Sequence, residues 1–288
     1  MTEVPEDWAF HYRGLTIGGE TDYCISGVDG LFGLPDIEST SRKRSGSHGF
    51  ITGRQLAGKR VGTIDIAYGS DTSDATELFL ARDALLAAFH ALNYEEPLTF
   101  GFPGLDPRMI NCRVTKLDAP AGRSWVFGFA ESMRLEVESA DFPFWQSAEE
   151  NSASGGAQLA SNGRIYPLVF PRLYGTLAGG SIMNTNNEGN ADAYWTAEIH
   201  GPCLNPSLSL PTEFGTHTLK VLTTLNAGEY MVLDRRRELV LIQGTSPRYD
   251  LLAPGAEWFD LPEGESQMYY SSENLQGLAV VRWRDTWW

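Results

Sequence analysis

Short segments in which apolar and polar residues alternate recur through most of the 288-residue chain. In the first half they include residues 62–67 (GTIDIA), 109–117 (MINCRVTKL) and 125–137 (WVFGFAESMRLEV), each with the period of two that marks a half-buried strand. One stretch breaks this rhythm. Between Asp74 and Leu92 the apolar residues Leu78, Ala81, Leu85, Ala88, Phe89 and Leu92 fall on one helical face, and Asp74 and Glu77 have the spacing of a capping box. The pattern predicts one helix covering one side of a sheet. In the second half strands are predicted at 218–224, 229–233, 239–243, 268–271 and 277–284, with turn-forming residues at 226–228, 234–237 and 262–264. No segment there has a helix-length amphipathic pattern, so this half reads as a β-sandwich. No solenoid or propeller repeat is visible.

A chain of this length predicts two domains, each able to bury its own core. The clearest break is 146–163, poor in apolar residues and rich in Ser, Ala, Asn and Gly. The expected division is a first domain at 1–150, a linker at 151–163 and a second domain at 164–288. Residues 38–53 are polar, hold three glycines and place Arg42, Lys43 and Arg44 together, with His48 close by. This stretch reads as an exposed loop or hairpin extension. Its basic tripeptide suits salt bridges with acidic neighbours, in the same chain or an adjacent subunit, or contacts to phosphate.

The formal net charge of −15 decides against nucleic-acid binding as the main role, since affinity for phosphate comes mostly from Lys and Arg. The excess is uneven: residues 1–150 carry 23 acids against 13 bases, the remainder 14 against 9. No run approaches the ~18 apolar residues of a membrane helix, and the first residues do not resemble a signal peptide, so cytoplasmic synthesis is expected. Cys24, Cys112 and Cys203 are odd in number and far apart, which suits small buried apolar residues better than disulfides. The five histidines lack metal-ligand spacing, and the glycine-rich runs 14–19 and 175–180 lack the context of a phosphate loop. Neither a metal nor a cofactor is predicted. Carboxylates are too widely spread to single out a glycosidase pair. The tryptophans read as core by default, with sugar stacking as the alternative, while Trp287 and Trp288 at the end of the chain are candidates for docking on the sandwich or a neighbouring chain.

Four landmarks in the last third carry a resemblance. They are the N-x-G-N turn at Asn187, Gly189 and Asn190, followed by a strand and the turn Gly201 to Pro206; the hairpin from Leu225 through Gly228 and Glu229 to Asp234; the turn Trp258 to Glu265; and the closing strand with Trp283 and Arg284 before the terminal aromatics. In this order they resemble the distal tail proteins of long-tailed bacteriophages. The turn at Leu261 to Glu265 departs by one residue between Pro and Gly and by Glu265 where Asn is usual. The resemblance implies a mainly β fold, with an N-terminal split β-barrel related to tail-tube proteins and a C-terminal galectin-like sandwich. It also implies a non-enzymatic role in the virion, as a hexameric ring at the tail tip. Such a ring joins the tail tube protein to tail-tip or tail-associated proteins, with the tape measure protein as a further candidate partner, and leaves a channel for DNA. Residues 38–53, with Arg42, Lys43, Arg44 and His48, are then the candidate subunit-interface loop. The alternatives are a glycan-binding module and, third, an enzyme with paired carboxylates of raised pKa in a cleft.

Overall fold

The computed structural model describes residues 7–69, 75–120, 122, 132–156 and 181–288. The chain forms two units, Met1–Ala148 with Trp288, and Glu149–Trp287.

The first unit holds strands β1 (Ala9–Tyr12), β2 (Leu15–Gly18), β3 (Tyr23–Asp29), β4 (Ile37–Ser39), β5 (Arg42–Lys43), β6 (Phe50–Ile51), β7 (Gln55–Ala57) and β8 (Arg60–Tyr68), then helix α1 (Ala75–Ala88). After the helix come β9 (Glu96–Phe100), β10 (Arg108–Asp118), β11 (Met133–Ser139) and β12 (Trp145–Ser147). The main sheet runs β2-β1-β9-β10-β11-β8-β3, with β12 on β10. Strand β10 joins two halves of this path: its first residues pair with β9 and those after Cys112 pair with β11, with a bulge between Val114 and Lys116. Among the described residues no ladder joins β3 to β2, so the expected split barrel is an open one. Side chains bridge the gap instead, because Ile25 of β3 lies against Gly18 of β2, where a Cβ would collide with it.

The predicted helix is present. Leu78, Ala81, Leu85 and Ala88 are its buried face, and Phe89 beyond its end stacks on Tyr12 at 4.8 Å. Arg13 donates to the Ala88 carbonyl at 3.2 Å, satisfying one of the acceptors left open at a helix end. The expected capping residue Asp74 lies outside the described residues, as do 125–131 of the strand expected at 125–137. Tyr23–Asp29 pairs with β8, Tyr23 opposite Tyr68 and Asp29 opposite Thr63. The intervening chain leaves the sheet altogether, which local alternation cannot reveal. Cys112 is buried as expected, whereas Cys24 is exposed on β3.

The second unit holds β13 (Asn151–Gly156), β14 (Ser181–Asn187), β15 (Trp195–His200), β16 (Cys203–Leu204), β17 (Ser207–Thr212), β18 (Gly215–Lys220) and β19 (Thr224–Leu225). It continues with β20 (Tyr230–Asp234), β21 (Leu239–Ile242), β22 (Ser246–Pro247), β23 (Gly264–Ser271), β24 (Leu278–Trp283) and β25 (Thr286–Trp287). A six-stranded sheet, β13-β24-β15-β20-β21-β22, faces a four-stranded one, β14-β23-β17-β18. Trp195, Leu208, Leu210, Leu233, Met268, Tyr270 and Val281 are among the buried residues between them. Each large side chain taken from water contributes roughly 1.5–3 kcal/mol, so this core is ample for an autonomous sandwich.

Residues 151–156, expected in the linker, form β13 and pair along the whole of β24. Within it Gly155 packs closely on the Ser181 and Met183 side chains, where a Cβ would collide with them. The remaining linker residues, 157–163, lie outside the described residues.

Candidate assembly surface

The stretch expected as an exposed loop or hairpin extension is a two-step hairpin arm. Ile37 to Ser39 pair with Ala57 to Gln55, and further out Arg42 and Lys43 pair with Ile51 and Phe50. Between the steps, the Thr40 amide donates to the Arg54 carbonyl at 3.0 Å, and the Gly53 amide donates to Ser41 Oγ at 2.9 Å. Gly53 is required there because a Cβ would collide with the Thr40 and Ser41 backbone. Gly46 and Gly49, with φ of 74° and 96°, turn the tip. The backbone is thus satisfied locally, while the side chains are not covered. Arg42, Lys43, Arg44 and His48 are exposed at and near the tip, and so are Ile37, Phe50, Ile51 and Leu56, with Phe50 at 65%. Basic residues on the sheet are in a different state. Arg134 grips Asp65 with two bonds of 2.7 and 3.1 Å, and Lys59 and Arg113 both hold Glu138. These contacts keep the Asp65 and Glu138 carboxyls below their ordinary range. Among the described residues, no ion pair reaches Arg42, Lys43 or Arg44.

The root of the arm is fixed by a residue that sequence reading passed over. Arg60, buried at the start of β8, donates to the carbonyls of Pro143 at 2.8 Å and of Leu31 and Gly33 at 2.6 Å each. Trp145 adds a second donor to Leu31 at 2.9 Å. Burial pushes the Arg60 guanidinium down to about 10, so it stays charged at neutral pH. Nothing in the local sequence marks it: Arg60 only precedes the alternating stretch 62–67, and its carbonyl partners lie far away in the chain.

Of the other two predicted residues, Trp288 has its ring 4.9 Å from Phe144, and Trp287 is half-buried. The sequence landmarks of the sandwich are structural. Asn187 is buried and its amide works in both directions: Oδ1 accepts from the Gly189 and Thr286 amides at 3.2 and 3.1 Å, and Nδ2 donates to the Ala191 carbonyl at 2.8 Å. Gly189 lies directly on the Thr286 backbone, where no Cβ fits. Trp195 and Trp283 are core residues whose indoles donate to Phe259 and Asn186 carbonyls at 2.8 Å.

The sandwich also carries a cleft of about 990 Å³ whose lining includes Phe214, His217, Trp258, Asp260, Gln267 and Tyr269. Phe214, at the β17–β18 turn, is 98% exposed. Asp192 also lines the cleft; burial raises its carboxyl and that of Asp260 above the ordinary range, and each also feels a nearby acid. Asp260 is engaged by Arg235, which donates to it at 3.2 Å. Its carboxylate therefore anchors a neighbour rather than standing ready as an acid. Among the described residues no cluster of three or more His, Cys, Asp or Glu could hold a metal ion, and no helix is long and apolar enough to cross a membrane.

No protein-family model matches the chain, and no curated protein matches it by sequence. Solved structures do. The crystal structure of the phage SPP1 Dit protein (gp 19.1), described as a paradigm of the hub adsorption apparatus in phages infecting Gram-positive hosts, superposes with a TM-score of 0.66 at 15% identity. The match covers 98% of this chain and 99% of that one. The phage P2 baseplate in its activated conformation with Ca matches with a TM-score of 0.49 at 9% identity, over 91% of each chain. With β-sheet units in the expected order and a likeness spanning both, the chain has the fold of the phage distal tail hub proteins.

Proposed function

We propose that this chain is a structural, non-enzymatic subunit of a phage tail tip, a hub ring that joins the tail tube protein to tail-tip or baseplate proteins. The observation that supports it most is the likeness to SPP1 Dit through 98% of the chain. The arm fits this reading. A ring needs a heterologous contact in which one surface meets a different surface of the next copy, and an arm with exposed apolar and cationic side chains is a surface of that kind. Six copies, assembled in the host cytoplasm and carried in the virion, are the expected form, with the tape measure protein as a further neighbour. An acidic chain, at net −15, lets DNA pass a central channel without holding it. Mass photometry of the purified protein, followed by negative-stain imaging, tests the proposal. Six-fold rings with an open centre are expected; a concentration-independent monomer defeats it.

A second reading is favoured by the cleft on the sandwich, where Trp258, Tyr269 and the exposed Phe214 offer aromatic faces beside amide and hydroxyl groups, as a glycan-binding site requires. Calorimetric titration with host cell-wall glycan addresses it. Binding by the wild type that is lost in Trp258→Ala supports a sugar site, and no heat with either protein removes it.

A further inference from the structure

The first unit carries a groove of about 900 Å³ lined by residues of β2, the β2–β3 turn, β3, β8 and α1. Tyr23, Tyr68, Glu20, Asp22, Glu77 and Leu80 line it. The Tyr23 and Tyr68 rings meet edge to face at 5.1 Å, and the Tyr23 hydroxyl donates to the Ala81 carbonyl at 3.0 Å, which fixes its ring against the helix. Among the described residues neither Glu20 nor Asp22 forms an ion pair. Burial chiefly raises both tyrosines above their ordinary value; Asp22 adds to the shift of both and Glu77 to that of Tyr68, so the carboxylates converge on these rings. Leu80 and its neighbour Phe79 are exposed large apolar residues on α1. A negatively charged recess with two aromatic walls and an apolar rim suits a cationic, partly apolar ligand, since guanidinium and ammonium groups bind both carboxylates and ring faces.

The arm is such a ligand. Its outer step places Arg42 and Lys43 beside Phe50 and Ile51, with Arg44 next in the chain, and none of these cations is paired with a described residue. Placement matters as much as charge. The arm leaves the sheet at the Asp29 and Arg60 end of the β3–β8 pair, and the groove lies at the Tyr23 and Tyr68 end. The two are separated by six residues of strand, roughly 20 Å, which puts plug and socket at opposite ends of one unit. Surfaces so placed join copies head to tail, the arrangement a closed ring needs.

On the reading that copies of this chain form a ring, we infer that the Arg42–Lys43–Arg44 tip of one copy docks in the acidic tyrosine groove of the next. Two experiments on the full chain test this. In assembled wild-type rings, zero-length carbodiimide coupling followed by peptide mass spectrometry is expected to join Lys43 to Glu20 or Asp22 between subunits. Rings in which Lys43 couples only elsewhere overturn the contact. In the second experiment, R42E/K43E/R44E and E20K/D22K are each expected to raise the concentration for half-assembly by about ten-fold or more at low salt, because like charges then face each other. The five-fold combination should return it close to the wild-type value. Circular dichroism melts of each variant identify any that fail to fold, and the crosslink on the wild type does not depend on them. If wild-type rings form and either charge reversal assembles as well as wild type, or the combination does not rescue, this contact is wrong and the ring stands. A wild type that never forms rings overturns both.

Discussion

The arm of the first unit and the Asn187 turn of the second are both short polar segments between strands, yet they are finished differently. The Asn187 turn is closed on itself: its amide makes bonds with Gly189, Ala191 and Thr286, and Gly189 leaves no space at the Thr286 backbone. The arm satisfies its backbone but leaves three cations and four large apolar side chains in water. A segment that completes its own contacts stabilises the fold, and one that does not is built for something outside it. The cost of exposing Phe50 or Ile51 is recovered only when another surface covers them.

The largest effect should come from closing the turn's space. In urea unfolding of the chain, Gly189→Ala is expected to cost about 4 kcal/mol or more, because its Cβ would overlap the Thr286 backbone, and Asn187→Ala about 3 kcal/mol, because its buried bonding partners are left unsatisfied. If Gly189→Ala melts like the wild type, the turn is not the closed node described. Arg60→Met comes next, at about 3 kcal/mol, since the carbonyls of Pro143 and Gly33 lose a charged donor in a buried place. Hydrogen exchange should also show the arm's root opening in this variant; protection unchanged there would separate Arg60 from the arm. Phe50→Ser with Leu56→Ser should leave thermal stability within about 0.5 kcal/mol, as exposed substitutions do, while weakening assembly. A large loss of stability would mean the arm is part of the fold after all.

The smallest effect concerns pH and contrasts paired surface acids with a buried one. Asp65 and Glu138 titrate below their ordinary range in the folded first unit, so their contribution is present above the ordinary carboxylate values and is lost as pH falls through the lowered ones. Asp192 in the sandwich is raised, so its contribution is full below the ordinary aspartate value and is lost as pH rises through the folded one. Asp192→Asn should therefore melt slightly above wild type at pH 7 and level with it near pH 3. An equal difference at both pH values would remove burial of the charge as the cause.

Strand and helix periodicity, the two-domain length, the acidic balance and the order of the sandwich landmarks were all legible in the sequence. They rest on local chemistry: a period of two or 3.6 follows from which face meets the core, and Asn, Gly and Pro mark turns by their own backbone preferences. The helix face from Leu78 to Ala88 and the strands of the sandwich followed from this. What lay beyond reach was set by partners distant in the chain. Asn151 to Gly156 looked like linker because its residues are small and polar, and only β24 makes them a strand. Tyr23 to Asp29 finds its partner in β8, on the far side of the arm, which no local pattern names. Arg60 carries no local mark of its role, which exists only because Leu31, Gly33 and Pro143 are brought around it. The sequence by itself determined the mainly β character, the one helix and most of the sandwich strands and turns, and that residues 38–53 are polar and basic. Tertiary structure alone decided where this exposed stretch is rooted, and that an acidic groove lies at the other end of the same strands, because charge and apolar surface acquire a partner only once the sheet fixes where each one lies.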